Sequence, residues 1–197
     1  MKVVAGNLYD KYGTRNPVAR RLMDGFLGAM RDVYDAGPDE TVIEIGCGEG
    51  ELLARLQRWR PARRVIGFDV SPEILKEARV RHGLTVALQS AEQLGLRAGA
   101  ADVVIASEVL EHLQRPEAAL REIGRVARRR VILSVPREPL WRVLNCARLR
   151  YLPDLGNTPG HLQHFSTRAF VALVSRWLRV VDVRTPLPWT IVAAEPR

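Results

Sequence analysis

A chain of 197 residues, 47% hydrophobic and 26% charged, has the size and balance of one globular domain and excludes a disordered or fibrous class. Two cysteines, Cys47 and Cys146, give no disulfide framework or metal-ligand spacing, no run of about 18 apolar residues offers a membrane span, and the polar start is too short for a secretory leader, so cytoplasmic residence with reduced thiols is expected. The formal charge of +8 is almost all arginine, the lysines being only Lys2, Lys11 and Lys76; nucleic acid, an anionic substrate or plain surface bias would each fit it.

Residues 7–16 are polar and turn-rich, and Pro17 suits the first position of the helix they precede. Leu22, Met23, Phe26, Leu27, Met30 and Val33 recur at helical spacing and mark one buried face. Gly37-Pro38 ends it. Next comes a β-branched run, Val42-Ile43-Glu44-Ile45, then Gly46-Cys47-Gly48-Glu49-Gly50, and Glu51-Leu52-Leu53-Ala54-Arg55-Leu56 resumes helical spacing. A strand feeding a helix through alternate glycines is a ligand-binding device: the turn is sharp, and no Cβ keeps a ligand from the backbone N–H groups. The spacing G-x-G-x-G differs from the dinucleotide fingerprint G-x-G-x-x-G, and an acid precedes it.

These residues resemble the first motif of the class I S-adenosylmethionine (SAM)-dependent methyltransferases, acid-x-G-x-G-x-G. A ligand carrying an ammonium and a sulfonium accounts for the acid, which would repel a pyrophosphate. The resemblance implies that Glu44, Gly46, Cys47, Gly48 and Gly50 hold the methionine end of SAM. It also implies that the leading segment lies over the cofactor mouth, where Tyr9, Tyr12 and Arg15 would close on it.

Val65-Ile66-Gly67-Phe68-Asp69 reads as the second strand, and Ser71-Pro72-Glu73 as the cap and first turn of a helix through Arg81. Asp69 stands at a strand end 23 residues after Gly46, where an acid accepts hydrogen bonds from ribose hydroxyls. Val70 is placed to pack on adenine. Residues 84–89 form a third strand. After it, Ser90-Ala91-Glu92-Gln93-Leu94 resembles the family stretch Asp-Ala-Glu-x-Leu, with serine in place of the acid. The resemblance puts the Ala91 N–H and Glu92 at the adenine edge, although Glu92 would equally cap the following turn.

Ala101 to Ser107 is the fourth strand, with Ser107 in the cofactor set, followed by Glu108-Val109-Leu110-Glu111-His112 and a helix from Pro116 to Ala127. Arg128-Arg129-Arg130 reads as a solvated entrance to the fifth strand at Val131–Val135. From Pro136 to Arg150 a basic amphipathic helix is predicted, as a substrate lid, a packing helix or a membrane-surface contact, the first two favoured. A loop over 153–159 leads to Gly160-His161-Leu162-Gln163-His164, then a helix capped by Ser166 or Thr167. Two final strands near 180–183 and 189–194 form a hairpin.

The predicted fold is α/β: a Rossmann-like, seven-stranded, mostly parallel sheet with helices on both faces and a C-terminal antiparallel hairpin. It is read as one domain over 1–197, divided into an N-terminal lid and helix (1–37), a SAM-binding core (38–135), an acceptor-side insertion (136–165) and a C-terminal helix and hairpin (166–197). Methyl transfer requires mainly alignment and exclusion of water, with a base where the acceptor must lose a proton. His112, His161 and His164 are the candidates. The favoured function is SAM-dependent methylation of a small-molecule acceptor, on oxygen rather than nitrogen, with nucleic acid possible but not favoured and the oligomeric state open. No metal is assigned. The alternatives are a metal-assisted RNA 2′-O- or quinone-type enzyme, in which Glu108, Glu111 and His112 share a helix face and join His161 or His164 around a divalent cation, and a SAM-binding module without turnover.

Overall fold

The computed structural model describes residues 12–197. The expectation for Tyr9 lies outside them. The Asn16 side-chain oxygen accepts from the N–H groups of Val18 and Ala19, opening α1 (Pro17–Val33) with proline where no N–H is needed. Met23, Phe26, Met30 and Val33 are its buried stripe, with Leu22 and Leu27 packed at the edges.

Strands β1 (Thr41–Ile45), β2 (Arg64–Asp69), β3 (Thr85–Leu88), β4 (Ala101–Ser107), β5 (Ala127–Pro136), β6 (Arg179–Arg184) and β7 (Trp189–Glu195) form one sheet in the order β3-β2-β1-β4-β5-β7-β6. The first five strands run parallel, and β7 lies antiparallel between β5 and β6. Parallel strands are covered on both faces, which explains their near-continuous apolar runs. Helices α1, α2 (Glu51–Trp59) and α3 (Pro72–His82) contribute to one apolar cluster, while α4 (Pro116–Val126) and α6 (Thr167–Ser175) contribute to the other. Along β1, Val42 belongs to the first cluster and Ile43 and Ile45 to the second, the period-two alternation of a strand.

Two expectations change in detail. The arginine run does not precede the fifth strand but lies inside it. Arg128 meets Asp102 at 2.7 Å, Arg129 meets Asp35 at 2.8 Å and Glu40 at 2.7 Å, and Arg130 meets Asp35 at 3.2 Å. The expected solvated entrance is a set of ion pairs fastening β5 to β4 through Asp102 and to the segment between α1 and β1 through Asp35 and Glu40. The basic amphipathic helix is also shorter than its sequence pattern. α5 (Leu140–Ala147) is followed by an irregular stretch and a 3₁₀ turn at Leu152–Asp154.

From β1 the chain proceeds outward to β2 and β3, then returns to β4 on β1's other side. Open α/β sheets place ligands where the strand order reverses, here beyond the carboxyl ends of β1 and β4. The glycine turn, Asp69, residues 90–92 and the stretch after Ser107 all follow carboxyl ends of strands.

Candidate functional site

The turn after β1 is held by backbone bonds. The N–H groups of Gly46 and Cys47 donate to the Phe68 carbonyl at 2.7 and 3.0 Å, and Gly48 N–H donates to Asp69 Oδ2 at 3.0 Å. Gly46 has φ +68°, and a Cβ there would overlap Val109 Cγ2, so glycine is required for space as well as conformation. Gly48 has φ +52° but no atom within 4 Å of such a Cβ, so its requirement is conformational only. Gly50 caps α2.

Two buried carboxylates bracket the turn: Glu44 is 2% exposed in β1 and Asp69 is 7% exposed at the end of β2. Asp69 accepts from Ser71 N–H at 3.1 Å as well as from Gly48, so it fixes turn and strand end together. Each of its oxygens has a second lone-pair direction for a ribose hydroxyl. The Cys47 thiol reports the local field: burial pushes it up, and the negative charges of Glu44 and Asp69 push it further. Such a field suits a cationic ligand. Cys47 itself is buried with its Sγ toward Gly67, where a Cβ would lie only 2.7 Å away. Its side chain therefore packs against the sheet, and its part in the turn is played by its backbone.

Val70 is half exposed beyond Asp69, while Ala91 is buried in the second apolar cluster beside the Ser90–Gln93 bridge. Glu92 does not cap the turn that follows it, where Leu94 and Gly95 N–H donate to Glu122 and Gln89. The Glu92 carboxylate accepts from Arg115 N–H at 3.2 Å and from Arg115 Nη2 at 2.8 Å, at the start of α4. Ser107 Oγ lies 2.9 Å from Ser134 Oγ, joining the carboxyl ends of β4 and β5.

In the turn after β4 and the 161–164 loop, His112 and His161 meet edge to face with ring centroids 4.9 Å apart. His112 ends a 3₁₀ turn, Leu110–His112, and its Nδ1 lies 2.9 Å from the Gly160 carbonyl. A carbonyl only accepts, so Nδ1 carries the proton in that bond and the neutral ring's lone pair is on Nε2. Glu111 is 1% exposed and His161 8% exposed. One donor atom from each of Glu111, His112 and His161 falls within 4.8 Å of the others. The Glu111 carbonyl accepts from the N–H groups of Leu162 and Gln163, tying the 161–164 loop to the turn after β4.

Glu108 and His164 stand outside this group. Glu108 has φ +57° and precedes the 3₁₀ turn, so the shared helix face expected for Glu108, Glu111 and His112 does not form. Its carboxylate accepts from the Trp189 indole N–H instead. His164 is exposed and pairs with Asn157 Oδ1 at 2.9 Å. Tyr12 stacks under the Arg55 guanidinium, 4.8 Å from the ring centroid.

Residues without a recognisable sequence signal complete the site. Trp141 of α5 stacks on His161 at 6.3 Å and meets Trp189 at 5.6 Å, and Trp189 meets Phe26 of α1 at 4.9 Å. Trp141 donates its indole N–H to Thr158 Oγ1 at 2.9 Å, and buried Asn145 donates to Gly156 O at 2.9 Å and Thr158 Oγ1 at 3.2 Å. Together they position the loop that delivers Gly160 and His161. Glu138, buried between β5 and α5, accepts from Arg142 N–H at 3.3 Å, and burial raises its carboxyl above the ordinary value. Apart from Glu138 and Arg142, these contacts join residues too distant in sequence to suggest a motif.

The sequence and the fold have counterparts among known proteins. The family described as a methyltransferase domain matches residues 43–135. A ubiquinone biosynthesis O-methyltransferase of Xanthomonas oryzae pv. oryzae is 28% identical over 193 residues, covering 92% of this chain and 77% of that protein. An uncharacterized transposon protein of Streptomyces fradiae is 33% identical over 150 residues, 73% of this chain but only 41% of that protein's length. The magnesium protoporphyrin IX methyltransferase of Synechocystis PCC 6803, solved with S-adenosylhomocysteine bound, shares the fold with a TM-score of 0.63 and 22% identity, over 92% of this chain and 88% of that one. The family match runs from within β1 almost to the end of β5, so residues 43–135 form a methyltransferase domain of the class I SAM-dependent kind.

Proposed function

We propose that this protein methylates an oxygen of a small-molecule acceptor in the cytoplasm, using SAM. The cofactor supplies an electrophilic methyl group on a sulfonium. Glu44 and the Gly46–Gly50 backbone hold its methionine end, Asp69 its ribose, and Val70 and the Ala91 backbone its adenine, with Ser107 and Glu92 shaping the edge. His112 takes the acceptor's proton on Nε2, and Trp141, Trp189 and His161 line the acceptor side and exclude water. The observation that carries this reading is the His112 Nδ1–Gly160 bond, which orients the imidazole. The O-methyltransferase name of the Xanthomonas relative supports oxygen as the acceptor atom. His112→Asn is expected to lower kcat by roughly a hundredfold or more while S-adenosylhomocysteine affinity, read by calorimetry, stays unchanged. Unchanged kcat rejects His112 as the base.

The grouping of Glu111, His112 and His161 within 4.8 Å favours a second reading, metal-assisted transfer to a quinone-type or RNA 2′-hydroxyl acceptor. Two imidazoles and a carboxylate suit Zn²⁺ or Mn²⁺, and a cation held there would polarise an acceptor oxygen. Chelation separates the two: turnover that survives it belongs to the base, and turnover lost and then restored by added Mn²⁺, Mg²⁺ or Zn²⁺ belongs to the metal.

A further inference from the structure

The segment that carries Trp141 and His161 toward the site turns a different chemistry outward. Among the described residues, the exposed large hydrophobics include Val143 at 58%, Leu149 at 78%, Leu152 at 47% and Leu155 at 71%, all in or just after α5. Hydrogen bonds gather them into one knob. Arg142 Nε donates to Leu155 O at 2.9 Å, Arg150 N–H to Asn145 O at 2.9 Å, Leu149 N–H to Cys146 O at 2.9 Å and Gly156 N–H to Tyr151 O at 2.8 Å. Arg142, Arg148 and Arg150 stand among the leucines, against one exposed acid, Asp154.

These leucines serve neither the core nor the backbone. Leu149, Tyr151 and Leu155 have φ values of +55°, +54° and +50°, a region that suits glycine or asparagine and that leucine rarely adopts. A leucine in that conformation whose side chain faces water returns nothing to the fold. Protruding leucines beside arginines match one surroundings well: acyl chains below and anionic headgroups around them.

We propose that this knob, residues 142–155, docks the protein on an anionic lipid bilayer, the leucines entering the interface and the arginines pairing with headgroup phosphates. The chain's +8 charge favours the same approach. Because the knob and His161 are fastened through Asn145, Gly156 and Thr158, docking brings the acceptor side near the lipid surface. The inference is independent of the acceptor's identity and is tested without turnover.

The test is flotation of the full chain with phosphatidylcholine vesicles, with and without phosphatidylglycerol, at low and high salt. The wild type is expected to float with the anionic vesicles and to be released by salt. Leu149→Asn/Leu152→Ser/Leu155→Asn should lower partitioning roughly tenfold or more, and asparagine suits the left-handed backbone, so the fold is spared. Arg148→Gln/Arg150→Gln provides a second variant, expected to weaken binding and flatten its salt dependence. Both should bind S-adenosylhomocysteine as the wild type does. Three results overturn the proposal: wild type that stays out of the anionic vesicle fraction at low salt, binding unaffected by either variant, or a concentration-dependent dimer that the leucine substitutions dissolve, which assigns the knob to a second copy.

Discussion

Gly46 combines two demands that usually occur apart, a left-handed backbone and contact with a neighbouring side chain from the turn after β4. Gly46→Ala should lower stability by about 1–3 kcal/mol and weaken S-adenosylhomocysteine binding, both measurable by denaturant unfolding and calorimetry. Adding Val109→Ala should recover the part due to overlap and leave the part due to φ, so a double-mutant cycle separates them. At this scale the sequence was informative where chemistry is local. The glycine turn, Asp69 and the Ser71 cap could be recognised because their partners lie nearby or their conformation restricts residue type. Glu108 could not, since its partner, Trp189, is 81 positions away and comes from the strand inserted beside β5. The partner of Glu92, Arg115 at the start of α4, lies 23 positions away and could not be read from the sequence either.

α5 acts largely through the loop it holds. Its buried face is short, Trp141 and Asn145, and both residues act on the 156–158 loop. Asn145→Ala removes two side-chain donors from buried acceptors and should cost about 1–3 kcal/mol. The fall in kcat should exceed any change in S-adenosylhomocysteine affinity, because the loop carries His161 and the Gly160 carbonyl rather than the glycine turn. Equal losses in both would show a general weakening of the fold. The strands and most helices could be read from periodicity and caps alone; their order came from the family resemblance. The segment after β5 was legible only as basic and amphipathic, because its helix ends where left-handed residues interrupt an otherwise helical pattern.

Across the whole molecule, charge fastens distant parts of the chain. Burial would raise the Asp35 carboxyl, but the Arg129 hydrogen bond and the charges of Arg129 and Arg130 outweigh it and hold it below 3.8. Glu40 is held below 4.5, chiefly by its hydrogen bond to Arg129. Folded pKa values lie below the ordinary ones here, so this stability is complete above those values and is lost as pH falls through the folded ones. Glu138 runs the other way: burial raises its carboxyl above 4.5, and it costs the fold stability as pH rises through that raised value. Arg129→Ala should destabilise the protein by about 1–2 kcal/mol at neutral pH, discounted for partial exposure. At acid pH, as the partner carboxylates protonate, the difference from wild type should shrink. Urea unfolding at the two pH values measures it.

Trp141 and Trp189, with centroids 5.6 Å apart, are close enough for their excited states to mix. One is borne by α5, the other begins β7, and His161 and Glu108 touch them from either side. A shift of α5 relative to β7 therefore alters the near-ultraviolet circular dichroism of the pair. The proposed acceptor wall carries its own optical gauge, with no label attached.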